Sequence, residues 1–420
     1  MRAAMKNKVP TICIILSLTL LLSGCGSVYS NYREVEQLLV IETMGIDYRP
    51  GGVELSMAAG MKSTVGKGPI RLTGSGESIS AAMDQARNYS FEDELFCSQT
   101  NSILIGEEAA RQGIESYLSY ICQSPILRTD LPVFIIKGGS ARDAILNTGD
   151  GQHGVAEILQ GVTEYLQYRG SSHVFKAADI IRSSLRHGSA LCCVLEYTDS
   201  AEPPVAGSQE QTSASPPVGS PSGTSLDSGS KPDNQEGGST QAKTLAVAGF
   251  GVLQGNRLVS YIDDELAIGV GFLINEVGIS VIELSDAQGR PVVLEINDGR
   301  SRLIPRWDES GQLSGLDFDI KVSATATEIN DDADLSDEDY INELTGALED
   351  YVAALCARVL RLSSRLGADF LGLGGQVDMA EPLFWRMQGK TLAQLLPGLE
   401  MRVSVQGNLS HSNDMKESLT

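Results

Sequence analysis

Residues 336–374, SDEDYINELTGALEDYVAALCARVLRLSSRLGADFLGLG, carry the longest helical periodicity in the chain. Ile341, Leu344, Leu348, Tyr351, Val352, Leu355, Val359 and Leu362 recur at three- and four-residue steps, which predicts one long helix over about Asp337 to Leu366. Ser336-x-x-Asp339 and the acidic residues around it suit its start, where carboxylates meet the positive end of the helix dipole. An amphipathic helix needs an apolar surface to cover, and the flanking sequence supplies one. Before it, Leu316, Phe318, Ile320 and Val322 alternate with polar residues as a half-buried antiparallel strand does; after it, Met401, Val403 and Val405 do the same. The expectation is a long helix packed on a sheet built from strands on both sides of it, within an α+β chain of several mixed α/β units.

Upstream, Leu245 to Leu253, Leu258 to Ile262, Gly278 to Leu284 and Val292 to Ile296 read as further strands. Ahead of them, residues 200–243 are crowded with Ser, Pro, Gly, Gln and Thr, hold six of the 15 prolines, and contain no aromatic residue. Such a segment cannot bury enough apolar surface to offset its ordering entropy, and reads as a disordered linker spanning ~35–40 Å by random-coil scaling. It divides the chain into an N-terminal α/β domain at 25–199 and a C-terminal α/β region at 244–412. The latter splits into two subdomains near residue 305, and a tail follows at 413–420.

In the N-terminal part, Leu38 to Ile46 and Val53 to Ala58 form two strands joined through Pro50-Gly51-Gly52. A helix from Ile79 to Asn88, a strand at Ser102 to Ile105, an amphipathic helix from Gln112 to Cys122 and a buried strand from Pro132 to Lys137 follow. Helical periodicity returns at Val155 to Leu166 and at Phe175 to Leu185. Strands and helices alternate, which makes this part mixed α and β.

The charge is unevenly placed. The 420 residues carry 32 Lys+Arg against 54 Asp+Glu, a net charge of −22 that argues against a nucleic-acid binder. Yet Arg2, Lys6 and Lys8 precede any acidic residue, residues 11–22 are almost wholly apolar, and Leu22-Ser23-Gly24-Cys25 follows. This is the order of a secretory leader over 1–24, and its last four residues resemble a bacterial lipobox, in which the cysteine thiol takes diacylglycerol and becomes the mature N-terminus. An apolar run of twelve falls short of the roughly 20 residues of a spanning helix. Removing three positive charges leaves 29 against 54, or −25. Lipid on Cys25, not electrostatics, is therefore expected to hold the protein at a membrane. Of the other cysteines, Cys97, Cys122, Cys192, Cys193 and Cys356 show neither a disulfide framework nor zinc-ligand spacing.

With these residues in view, the chain resembles the C subunit of the spore germinant receptors, the Ger(x)C lipoprotein family of endospore-forming Firmicutes. The resemblance rests on the lipobox cysteine, on Arg33-Glu34-Val35-Glu36 leading into Met44-Gly45-Ile46-Asp47, and on Thr73 to Ile79. It continues through Leu104-Ile105-Gly106-Glu107-Glu108-Ala109-Ala110-Arg111, Leu258-Val259, Ala368-Asp369-Phe370-Leu371-Gly372-Leu373-Gly374, and Pro397 to Gly407, in order along nearly the whole chain. Cys25 is followed by Gly26-Ser27-Val28-Tyr29 where family members usually have Trp-Asp, Gln99 stands where many have histidine, and the linker is unusually long. The resemblance implies a lipid-anchored subunit on the outer face of the spore inner membrane. It would act with integral-membrane A and B subunits to trigger germination, and would fold as three α/β domains without a catalytic site. Asp47, Glu107, Asp369 and Phe370 are the motif positions with a structural or contact role to expect.

Enzyme chemistry finds little support. His153, His173, His187 and His411 show no metal-ligand spacing, no G-x-S-x-G elbow occurs, and Gly372-Leu373-Gly374-Gly375 follows a helix instead of linking a strand to one. In the run Asn330 to Asp334, Leu335 stands where a calcium loop needs glycine. No cofactor or metal is expected. The competing reading is a solute-binding or other cell-envelope lipoprotein, but the two halves show no repeated lobes about a hinge.

Overall fold

The computed structural model describes residues 38–59, 70–88, 94–148, 154–166, 170, 173–199, 243–328 and 337–411. The leader, Cys25, all but the last residue of the 200–243 segment, the Asn330-to-Asp334 run and the 413–420 tail lie outside the described residues.

The described strands form two sheets. The first contains β1 (Leu38–Arg49), β2 (Gly52–Ala59), β3 (Ile70–Gly76), β4 (Glu94–Phe96), β5 (Ser102–Gly106), β6 (Val133–Lys137), β7 (Ser189–Asp199), β8 (Lys243–Gln254) and β9 (Arg257–Ile262). Its order is β3-β2-β1-β5-β6-β7-β8-β9, with β4 beside β1. The four central strands β1, β5, β6 and β7 run parallel, and antiparallel strands extend the sheet on either side.

Parallel strands need helices on both faces, which is why the central strands are near-continuous apolar runs. On one face, Ile103, Ile105, Val133 and Ile135 meet α1 (Ile79–Arg87), α2 (Glu107–Gln112), α3 (Glu115–Gln123) and α6 (Ala177–His187). On the other, Leu104, Phe134 and Ile136 meet α4 (Ala141–Asn147) and α5 (Val155–Leu166). Ser78 and Ser140 cap α1 and α4, each accepting from a main-chain N–H one turn in.

The second sheet, in the order β10 (Ser280–Ser285), β11 (Pro291–Trp307), β12 (Leu313–Glu328), β13 (Glu400–His411), is antiparallel except for the parallel β12–β13 pair. The helix α8 (Glu338–Leu366) lies on it, as its apolar stripe requires, with Leu344, Leu348, Val352, Leu355 and Val359 buried against Phe318, Ile320 and Val322. Gly367 ends the helix because its backbone turns left-handed (φ 58°), a conformation that costs glycine nothing.

Between the sheets runs α7 (Asp264–Ile274), buried from Ala267 to Leu273. It packs on both β8 and α8, and a Cβ at Gly269 would stand 3.0 Å from the main chain of Leu355, so the two helices touch almost backbone to backbone. A helix that is apolar all round has no amphipathic stripe, and none was legible in the sequence.

Three sequence expectations shift. First, β8 and β9 complete the first sheet, with Asp199 paired to Lys243, so the 200–243 segment joins two neighbouring antiparallel strands and does not lead into a separate sheet. The buried residues of α7 share one core with the second sheet and α8. Second, the expected split near residue 305 falls inside β11, where Pro305 pairs with Leu316; a boundary there would cut a continuous ladder. Third, β3, β4, β7, α2, α4, α7 and the short helices after Gly372 add elements that periodicity did not reveal.

Candidate functional site

The motif residues gather in two places. The first is the carboxyl end of the parallel strands. Asp47, at the end of β1, is 8% exposed and accepts from the N–H groups of Ala141 and Arg142, both at 2.8 Å, which satisfies two free donors at the start of α4. Gly106 ends the neighbouring β5, and its missing side chain makes the room: a Cβ there would collide with Asp47 Oδ1 and stand 3.3 Å from Ala141 N. Burial pushes the Asp47 carboxyl up, and the two main-chain donors only partly offset that.

Glu107 follows directly. Its Oε2 accepts from Gly138 N–H, and its Oε1 accepts from both Arg111 Nε at 2.8 Å and Nη2 at 2.7 Å. Its own N–H donates to Gly139 O at 3.1 Å. Asp47 and Glu107 thus grip the same turn, Gly138 to Arg142, between β6 and α4. The Arg111 and Lys137 cations lie 5.9 and 5.8 Å from the centre of the Tyr261 ring on β9, which extends the cluster to the strands beyond the low-complexity segment.

Burial alone would raise the Glu107 carboxyl, but Gly138 N–H and Arg111 outweigh it and hold it below the usual range. A depressed carboxylate contributes stability that is present above its unfolded value and lost as pH falls through its folded value. Glu107→Gln is therefore expected to flatten the acid limb of a stability-versus-pH profile below about pH 4.5. Denaturant melts of both proteins from pH 6 to pH 3 check this.

The second gathering lies at the seam between the two units. Asp369, 2% exposed, accepts from Leu373 N–H at 2.7 Å and Gly374 N–H at 2.9 Å, the first donors of α9 (Leu373–Ala380). Its Oδ2 also lies 3.2 Å from Nδ1 of His187, the last residue of α6. Phe370 is buried in the core of the second unit. Gln254 Nε2 donates to the carbonyls of Leu366 and Gly367, and Gln376 Nε2 to Leu273 O, so the glycine-rich stretch after α8 is a joint between units. The family motif singled out Asp369 but gave no hint of His187, which comes from the other half of the chain.

Neither gathering has a nucleophile placed beside a base. Among the described residues no three His, Cys, Asp or Glu side chains converge closely enough to hold a metal ion. Burial pushes the Cys97 thiol up to about 11 and the Cys356 thiol up to about 12. Among the described residues no helix is long and apolar enough to cross a membrane. The two clusters organise main chain, and their chemistry is that of helix capping and unit docking.

Comparison with known proteins decides the family. The family model described as the spore germination protein N-terminal domain matches residues 31–197, and that described as spore germination B3/GerAC like, C-terminal, matches residues 248–413. The chain belongs to the Ger(x)C family of spore germination proteins. The crystal structure of the GerBC protein superposes on this Ger(x)C chain with a TM-score of 0.52 at 14% identity, covering 90% of this chain and 99% of that one, which shows the shared fold. No curated protein matched. The two Ger(x)C models meet the chain on either side of the 200–243 segment, although β8 and β9 pair with the first unit's sheet.

Proposed function

We propose that this protein is the lipid-anchored, non-catalytic C subunit of a spore nutrient germinant receptor, acting with integral-membrane A and B subunits from the outer face of the spore inner membrane. The observation that carries the reading is the match to both family halves in order, downstream of a basic, apolar leader that ends in Leu-Ser-Gly-Cys25. The clusters at Asp47/Glu107 and at Asp369/His187 fit a subunit that works through its surfaces, since their carboxylates are spent on main-chain donors, on the Arg111 guanidinium and on the contact with His187 Nδ1.

Lipid supplies the affinity for the bilayer at about 0.8 kcal/mol per buried methylene, and two chains on one cysteine hold where one dissociates. A strain lacking the protein is expected to grow normally as vegetative cells and to lose nutrient-triggered germination, restored by the wild-type chain and not by Cys25→Ala. Germination is read as the fall in optical density of a spore suspension after nutrient addition. An unchanged response to every nutrient would count against the assignment.

A further inference from the structure

The short helix α10 (Pro382–Met387) buries none of its six residues, although four of them are Leu, Phe, Trp and Met. Leu383 and Met387 are each 76% exposed, as is Met379 at the end of α9, and Phe384 is 43% exposed. Single apolar residues on a surface need no explanation, but a contiguous group marks an interaction surface. The group is firmly mounted. Phe384 stacks on Trp307 at 5.4 Å and 28°, Gln388 Nε2 donates to Gly311 O at 2.9 Å, and Leu313 N–H donates to Gln388 Oε1 at 3.2 Å. Stack and hydrogen bonds fix a convex apolar knob to the β11–β12 turn.

We propose that this knob is a second membrane contact, sinking Met379, Leu383 and Met387 into the interfacial region of the bilayer. The proposal rests on the reading of Cys25 as lipidated. Only residues 26–37 separate Cys25 from the start of β1, a tether of at most ~45 Å at full extension, so a lipidated chain keeps its folded body within reach of the bilayer. The chemistry of the knob suits that neighbour. Arg386 is the only charge on α10 and Lys390 follows it; their long stems let the cations stay among headgroups while the apolar side chains descend. A protein partner would need a groove shaped to the knob, whereas a bilayer accommodates any convex apolar surface. Glu309 and Glu381 are exposed alongside, so the patch is not basic, and the contact does not depend on anionic lipid.

The chain has two tryptophans, Trp307 and Trp385, and both lie just behind this patch, Trp307 under Phe384 and Trp385 on α10 packed against the core, so intrinsic emission reports on its surroundings. The lipidated protein is reconstituted in phosphatidylcholine vesicles with plain or brominated acyl chains. The expected result is an about twofold loss of emission with brominated lipid, because an interfacial helix buries its apolar face 5–10 Å deep. Replacing Leu383→Asp and Met387→Asp together is expected to abolish the quenching while the protein still floats with vesicles and keeps its circular dichroism. Equal emission in both lipids from a wild-type protein that co-floats would overturn the proposal. So would quenching that appears only when other membrane proteins are co-reconstituted, which would assign the knob to a protein partner. Failure of the anchoring reading shows itself separately, as a mature chain whose mass includes no acyl groups.

Discussion

Asp369→Ala is expected to lower the free energy of unfolding by about 3–5 kcal/mol, the largest loss from any single truncation in the motifs. The carboxylate is 2% exposed, holds two donors, Leu373 N–H and Gly374 N–H, and lies 3.2 Å from His187 Nδ1. Alanine leaves two buried main-chain donors at the start of α9 without partners, each worth about 1–3 kcal/mol unsatisfied, and leaves a partly buried imidazole without its carboxylate. Asp369→Asn retains one oxygen and should lose about half as much. Because His187 belongs to the first unit and Asp369 to the second, a double-mutant cycle with His187→Ala reads the coupling across the seam, and a coupling of about 1 kcal/mol or more is expected. Urea denaturation of the four proteins supplies all the numbers. A loss below 1 kcal/mol for Asp369→Ala would mean that the seam is held elsewhere.

Gly106→Ala adds only a methyl group, yet it is expected to cost about 2–4 kcal/mol. The glycine is not there for conformational freedom, since its φ of −63° suits any residue. Space is what it supplies: a Cβ would overlap Asp47 Oδ1 and crowd Asp47 Cγ at 3.2 Å. The carboxylate cannot retreat without releasing Ala141 and Arg142, so overpacking and loss of a helix cap add together. The explanation has a specific corollary. In an Asp47→Ala background the space is already vacant, and Gly106→Ala should then cost less than about 1 kcal/mol. Equal cost in both backgrounds would show that the methyl collides with something other than Asp47.

Those two sites show what was legible in the sequence and what was not. The long helix was readable almost to the residue because its stripe at Leu344, Leu348, Val352, Leu355 and Val359 is one-sided, and the strand at Val133–Lys137 and the Leu316-to-Val322 centre of Leu313–Glu328 were readable from their apolar patterns. The buried helix α7 hid because burial on every side erases periodicity. Membership of β8 and β9 in the first sheet was hidden by the segment between Asp199 and Lys243, since low-complexity sequence does not say whether it separates units or joins neighbours. Family motifs pointed to Asp47, Glu107, Asp369 and Phe370, but the partners that give the three carboxylates their roles are mostly backbone N–H groups, which carry no sequence signature. His187 was an isolated histidine on a helix end until the fold brought it to Asp369.

The anchor at Cys25 lies outside the described residues, while the α10 knob is exposed on the described surface. Together they would fix the orientation of the second unit against the bilayer, placing the seam at Asp369 and the β11–β12 turn close to membrane-embedded partners.

The most direct test of the central claim is affinity purification of the epitope-tagged, lipidated chain from gently solubilised spore inner membranes, with the co-purifying proteins identified by mass. The account predicts two multi-spanning membrane proteins recovered in amounts comparable to the tagged chain, and their loss with Cys25→Ala. Recovery of the chain alone, or with a transport permease and no second integral-membrane partner, would contradict it.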